Sequence, residues 1–367
     1  MTASAASAAH LTVRLGAIAE NFRLAQAMAG PATAAAVVKA DAYGLGAGTI
    51  VPALVATGAE NFVVARLEEA IALRRLSVRA RIFVLDGVAD GTAAAYARYH
   101  LIPCLNSLEQ IARYSKAALA AGSVYEAAIH IDTGMNRLGL SQTDVALLAG
   151  ESAKRLAGLN VVLWMSHLAC SDEPDSPMNA AQLKRFKAAL ALLPPAPASL
   201  AASGGLLLGK DYHFDLVRPG IALYGGNPIP SRPNPFGVAV RCTAPILQVR
   251  ETPAGETVGY GASFQTSRAS RLAIAAYGYA DGLMRTVSNR GFGAIGGVKV
   301  PVVGRISMDL VIFDVTDLPV VPHAGMDAEL FGDVVSLEEL AGASGTISYE
   351  ILTQVSPRAA RVYQEAA

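Results

Sequence analysis

Apolar positions in the first two-thirds of the chain follow one repeating rhythm. A short β-branched run leads into a turn, and then into a stretch with apolar residues three and four apart. The runs are AAVVKA (35–40), NFVVAR (61–66), RIFVLDG (81–87), LIPCL (101–105), EAAIHIDTG (126–134), VVLWMSHL (161–168), PASLAASGG (197–205) and DLVRPGIALYG (215–225). Between them lie segments such as LEEAIALRRL (67–76) and NAAQLKRFKAALALL (179–193), whose spacing predicts helices. Strands alternating with helices predict a parallel sheet with crossover helices. About eight strands over roughly 220 residues is the count and size of a TIM-type barrel; a doubly wound sheet would need fewer strands.

The texture changes after NPIPSRPNPFG (227–237), a Pro- and Gly-rich linker. The segments beyond it are short, β-rich and punctuated by Gly, Pro and Asp, as in SRLAIAAYGYADG (270–282) and VKVPVVGRISMDLVIFDVT (298–316). Helical spacing returns only at SLEELAGASG (336–345). The fold class is therefore read as α/β: an N-terminal (β/α)8 barrel followed by a mostly β C-terminal domain. The divisions are a tail over 1–9, the barrel over 10–232 and the β domain over 233–367.

Composition narrows the function classes. Hydrophobic residues make up 52% and charged residues 16%, which suits a large folded enzyme and excludes wholesale disorder. Lys plus Arg equals Asp plus Glu at 30 each, so no global basic field points to nucleic acid or an anionic membrane. Cys104, Cys170 and Cys242 lie far apart without a ligand spacing, and are read as reduced thiols, with neither disulfides nor a metal site. The opening MTASAASAAHLTVRLGAIAENF lacks the continuous apolar core of a signal peptide, and no apolar run reaches the ~20 residues of a transmembrane helix. A cytoplasmic location and a small-molecule substrate are expected.

The chemistry starts at VVKADAYGLGAG (37–48). Lys39 closes an apolar strand, which places its amine at the carboxyl end of the barrel, where such enzymes put catalytic groups. Burying an ammonium is costly unless it is neutralised or paired; bonding to an aldehyde cofactor removes the charge. On this feature alone a strand-end lysine reaching solvent remains open. The glycines run GxGxG and do not make the GxGxxG of a dinucleotide loop.

Lys39 with Tyr43 resembles the cofactor-lysine motif of the alanine racemases, the fold-type III family of pyridoxal-phosphate (PLP) enzymes. DTGMNRLG (132–139), SHLACSD (166–172), Ser203 through RPGIALYG (218–225), VGYGASF (258–264), GYADG (278–282) and GRISMDL (304–310) resemble the same family in the same order. The resemblance implies that Lys39 bonds PLP and then acts as a base on one face of Cα. Tyr260 would be the base on the opposite face, supplied by the partner subunit of a homodimer with shared sites. His167 and Arg218 would tune the site, with Arg218 facing the pyridine nitrogen and leaving it unprotonated. Tyr43, Ser203 and the backbone of Gly220 and Ile221 would hold the phosphate. Arg137 would reach the cofactor's phenolic oxygen and the substrate carboxylate. Met308, Asp309 and Tyr279 would line the entrance. Taken singly, Tyr260 reads as a strand tyrosine, Arg218 as a loop ion pair, and Met308–Asp309 as packing with a turn carboxylate.

The implied reaction is racemisation of L- and D-alanine, either supplying D-alanine for a bacterial-type cell wall or consuming it. A broader amino-acid racemase acting on serine or lysine, a decarboxylase on the same plan and a PLP carrier are the alternatives. Three positions depart from the family. His130 stands where many relatives carry a carbamylated lysine that orients the arginine, leaving Arg137 to be held by His130 itself or by a bound anion. Ala202 replaces a common asparagine. Pro357 falls near a tyrosine that touches phosphate, a role assigned to neither Tyr349 nor Tyr363.

Overall fold

The structure, a computed structural model, describes residues 9–76 and 79–365. The tail read over 1–9 therefore falls, except for Ala9, outside the described residues. The first strand, β1 (His10–Arg14), is taken up below because it does not join the barrel. β2 (Thr33–Ala34) and β3 (Ala36–Val37) form one nearly continuous strand. They are followed by β4 (Asn61–Val64), β5 (Arg81–Val84), β6 (Ile102–Leu105), β7 (Tyr125–His130), β8 (Leu159–Met165), β9 (Ala198–Ser199) and β10 (Leu216–Val217). Strands β3 to β9 pair in sequence order as a seven-stranded sheet, every pair parallel.

Strand β10 closes the ring. It pairs in parallel with β2 on one side. On the other, Asp215 N–H donates to Ala198 O (3.0 Å) and Arg218 N–H to Ala201 O (2.9 Å). Every apolar run of the first part thus carries a barrel strand, and the (β/α)8 reading holds. Strands such as Asn61–Val64 and Ile102–Leu105 are buried at every position, because the barrel lumen takes one face and the outer helices the other. The helix Leu108–Ala120 illustrates the outer layer. Ser107 caps it by accepting from Gln110 N–H, and Ile111, Tyr114, Ser115 and Ala118 form its buried stripe.

The second unit is built on β11 (Val240–Thr252), with the short hairpin β12 (Thr257–Val258) and β13 (Phe264–Gln265) beside it. Its other strands are β14 (Ser270–Ala275), β15 (Phe292–Ile295), β16 (Val298–Pro301), β17 (Val311–Asp314), β18 (Asp327–Phe331) and β19 (Ala360–Gln364). The path runs β16-β15-β18-β11-β1-β19, with β14 joining β11 to β17.

One assignment is corrected here. Residues 10–14, read as the start of the barrel, are strand β1 of this second sheet, lying between β11, to which it is antiparallel, and β19, to which it is parallel. Leu11 and Val13 alternate inward along it, a half-buried pattern with period two that differs from the fully buried barrel strands. The two units meet where the helix Ser348–Gln354 packs on the turn at 39–44; a Cβ on Gly44 would lie 3.2 Å from Leu352 O. Among the described residues, no helix is long and apolar enough to cross a membrane.

Because Leu11 is completely buried between β11 and β19, Leu11→Ala is expected to cost about 2–5 kcal/mol of stability. Denaturant unfolding monitored by circular dichroism checks this; a change within error would remove β1 from the core of the second unit.

Candidate active site

The turn after β3 takes an uncommon backbone form. Ala40, Asp41, Ala42 and Tyr43 all lie in the left-handed region, with φ of 52°, 54°, 53° and 60°. Each such residue costs about 1–2 kcal/mol in an L-chain, so the turn persists only if its surroundings fix it. Glu69 holds its start, accepting from Ala40 N–H at 2.6 Å through Oε1. Asp41 closes it internally, its Oδ1 accepting from Ala47 N–H (2.7 Å) and its carbonyl from Gly46 N–H (2.9 Å). The last strand holds its end: Arg361 donates to Gly44 O at 3.1 and 3.2 Å, and Tyr363 Oη to Leu45 O at 3.0 Å. Gly46 must be glycine, since a Cβ there would lie 2.0 Å from Tyr363 Oη.

Held this way, Lys39 reaches a cavity of about 370 Å³ at the carboxyl ends of the barrel strands. Tyr43, His167, Ser203, Arg218, Gly220, Ile221 and Arg137 line the same cavity, so the structure brings together all the predicted residues of the barrel. Lys39 has its pKa lowered, first by burial and then by the Arg137 charge, with Glu69 and Asp86 opposing.

Arg218 is buried and its neighbours are neutral. It donates to Ser166 O (2.6 Å), to Leu200 O (3.3 Å) and to Ser199 Oγ. Burial brings it down to about 10, still far above neutrality. Its Nη2 also donates to His167 Nδ1 at 3.3 Å. Arginine offers no acceptor, so that ring nitrogen carries no proton. His167 is accordingly held neutral, its pKa pushed well down by burial and then by Arg218 and Arg137.

His130 ends β7 with its Nδ1 2.9 Å from Asn106 Oδ1. Asn106 donates its own amide to Leu85 O (2.8 Å) and Cys104 O (2.9 Å), which fixes Oδ1 as acceptor and His130 Nδ1 as donor. Burial and then Arg218 bring His130 down to about 4. The structure shows no bond from Arg137 to His130: Nδ1 of His130 goes to Asn106, and no hydrogen bond or ion pair of Arg137 is found among the described residues, although its charge helps to keep His130 neutral. Arg137 instead faces the cavity from a loop shaped by Asp132, whose Oδ1 accepts from Gly134, Met135 and Asn136 N–H.

At the other end of the cavity Ser203 Oγ accepts from Gly220 N–H (2.8 Å) and Ala222 N–H (3.4 Å). A Cβ on Gly220 would lie 2.2 Å from Tyr43 Oη, and one on Gly204 2.5 Å from Ser171 Oγ, so this cradle exists only because both are glycine. Tyr349, from the helix Ser348–Gln354, lines the cavity, its ring 6.0 Å from Tyr43. Tyr363 bonds Leu45 O and lies outside the cavity. Burial raises Tyr43, and raises Tyr349 to about 12, so both are neutral donors. Sequence reasoning names Tyr349 and Tyr363 without choosing between them; the structure places Tyr349 in the cavity lining and Tyr363 outside it. Neutral hydroxyl donors and a glycine cradle at one end, with Lys39, Arg137 and Arg218 along the walls, fit a phosphate-bearing aldehyde such as PLP.

Four predicted residues lie elsewhere. Tyr260, Tyr279 and Met308 are 71%, 45% and 54% exposed on the second unit, and none lines the cavity. They share one region. Tyr279 N–H donates to Ser307 O (3.1 Å), and a Cβ on Gly278 would meet Met308 O at 2.3 Å. The Tyr260 turn rests on Arg305 through Gly259 and Gly261. Asp309 is ion-paired to Arg358 at 2.8 Å, and Arg358 also reaches the buried Asp281 at 3.2 Å.

Comparison with known proteins covers nearly the whole chain. Residues 13–228 match the family model "Alanine racemase, N-terminal domain" and residues 239–363 match "Alanine racemase, C-terminal domain". A catabolic alanine racemase of Agrobacterium fabrum is 47% identical, covering 98% of this chain and 93% of that protein. The alanine racemase of Rhodospirillum rubrum is also 47% identical, covering 96% and 95%. Among solved structures, alanine racemase from Bartonella henselae with covalently bound pyridoxal phosphate superposes with a TM-score of 0.92 at 40% identity, covering 98% of this chain and 100% of that one.

The neutral histidines make stability depend on pH. Unfolded, His130 titrates near its ordinary 6.5, whereas in the fold it stays neutral down to about 4. The unfolded state binds more protons across that window, so the unfolding free energy is expected to fall as pH drops from 6.5 toward 4. His130→Asn should flatten that slope in urea melts recorded across the window; an unchanged slope would place the acid sensitivity in other groups.

Proposed function

We propose a two-base mechanism for this chain, which belongs to the alanine racemase family and interconverts L- and D-alanine with PLP as its cofactor. The observation that carries the mechanism is the asymmetry of the cavity. Lys39 enters it from one strand end, and the chain's own groups supply no tuned base to oppose it. Tyr43 and Tyr349 are pushed up by burial, and His130 and His167 are pushed down. The missing base is Tyr260 of a second copy, presented from the exposed region it shares with Tyr279 and Met308. A homodimer with shared sites is therefore the working unit.

PLP, when bound, supplies a conjugated system that spreads the charge left on Cα. Lys39 would hold the cofactor through its aldehyde, and its free amine would move a proton at Cα through Nζ; its lowered pKa favours the uncharged amine. Tyr260 Oη moves the proton on the other face. Arg218 keeps its own protons and would offer a cofactor ring nitrogen a hydrogen bond without protonating it. Arg137, free of internal partners, takes the substrate carboxylate. Ser203, Tyr43, Tyr349 and the Gly220–Ile221 backbone hold the phosphate. Met308 and Tyr279 narrow the entrance, while Asp309, pinned by Arg358, fixes Met308 in place. The apolar walls Val37, Val63, Leu85 and Met165 leave room for a methyl side chain.

Chiral chromatography of L-alanine incubated with the PLP-loaded protein, beside L-serine and L-lysine, is expected to give an equal D/L mixture of alanine ahead of the others. Preferential inversion of serine or lysine would reassign the pocket. Lys39→Ala and Tyr260→Phe should each lose about 10²–10⁴-fold in rate, and mixed dimers of the two inactive variants should regain turnover, since one of their two sites keeps both bases. No regain on mixing, with mixed dimers demonstrated, would confine both bases to one chain.

A further inference from the structure

Glu69 stands outside the cavity lining, yet it ties together the elements that present the lysine. Its Oε1 accepts from Ala40 N–H at 2.6 Å, the peptide next to Lys39. Its Oε2 accepts from Ala65 N–H (2.8 Å) and Arg66 N–H (3.1 Å), at the end of β4 and the start of the helix Leu67–Arg75. Satisfying the last two bonds is ordinary work for an acidic residue in a helix's first turn. The first is not, because it reaches across to a different strand end and meets the left-handed turn at its opening residue.

We propose that Glu69 is a positioning residue for racemisation: its carboxylate fixes the left-handed turn at Ala40, and so aims the Lys39 amine into the cavity. This rests on Lys39 being a base. A carboxylate suits the task better than a neutral acceptor, since three N–H groups converge on two oxygens and charge-assisted bonds are shorter and stronger. Arg361 and Tyr363 hold only the far end of the turn, at Gly44 and Leu45. With Glu69 removed, Ala40 loses its external tie, and the turn is free to relax at its opening residue while Val38 stays bonded to Val63 O. A shift of about 1 Å in a reacting group costs on the order of 10²-fold in rate.

Glu69 also acts on Lys39 through charge. Burial and Arg137 lower the amine's pKa, while Glu69 and Asp86 raise it. His130, His167 and Arg218 face the same cavity, and Glu350 and Tyr349 border the adjoining pocket on the other side of Lys39. Removing the Glu69 charge leaves Asp86 and Glu350 as the nearby carboxylates. The amine pKa then falls, and the acid limb of the kcat–pH profile moves to lower pH.

The test uses the PLP-loaded full-length chain and compares Glu69→Gln, Glu69→Asp and Lys39→Ala. Glu69→Gln keeps the shape without the charge. Its kcat is expected to fall about 10–100-fold with KM for alanine nearly unchanged, as for a misplaced reacting group. Its acid limb should move down, and the peptide spanning 38–46 should exchange amide hydrogen faster by mass spectrometry. Glu69→Asp keeps the charge but shortens the reach, so it should lose kcat and amide protection without moving the limb. Faster exchange in both variants with kcat and limb unchanged would make Glu69 a structural cap and overturn the proposal, as would unchanged exchange. Full activity in Lys39→Ala would instead overturn the assignment of the base, which separates the two failures.

Discussion

The site depends on one strained piece of backbone. Four consecutive left-handed residues follow Lys39, and no isolated peptide of that sequence would hold them. The strain is borne by contacts from every side: Glu69 at the start, Asp41 within, Arg361 and Tyr363 at the end, and the helix Ser348–Gln354 alongside. The result is to carry both Lys39 and Tyr43, four positions apart, into the lining of one cavity. The barrel supplies the strand end, the second unit supplies the clamp, and neither alone would keep the lysine in place.

A second constraint is electrostatic. The cavity carries Lys39, Arg137 and Arg218 with only Asp86 among its lining carboxylates. A buried cation without a carboxylate partner is costly, and around buried Arg218 the neighbourhood answers by staying neutral. His130 and His167 give up their charge, while carbonyls and hydroxyls satisfy Arg218. A polyanionic ligand completes this arrangement. A metal or a cationic cofactor would oppose it.

Much of this was legible in the sequence, though unevenly. Barrel strands announce themselves because burial on both faces forces continuous apolar runs, and the site residues follow at their carboxyl ends. Strand β1 was misplaced because its partners, β11 and β19, lie hundreds of residues away and leave no local mark on five residues. Tyr349 went unassigned because its neighbour is Tyr43, which only the packing of the two units reveals. Glu69 looked like any first-turn acid of a helix; its bond to Ala40 is a tertiary fact. The neutrality of His130 depends on how Asn106 is oriented by two carbonyls, which no spacing encodes. Tyr260, Met308 and Tyr279 were named only by resemblance; each is exposed on the second unit and none lines the cavity.

The placement of β1 bears on how the molecule is made. His10 pairs with Thr243 and with Ala360, so β1 finds its two neighbours only after roughly 230 and 350 further residues have been made. At about 5–20 residues per second, the second wait is on the order of tens of seconds. Throughout it, Leu11 and Val13 are an unpaired edge beside a barrel that is already able to close. Nascent barrels therefore carry a sticky hem that invites chaperone cover. The strand that shields that hem, β19, also clamps the turn after Lys39, so one late pairing both covers the sheet edge and orders the backbone that presents the lysine.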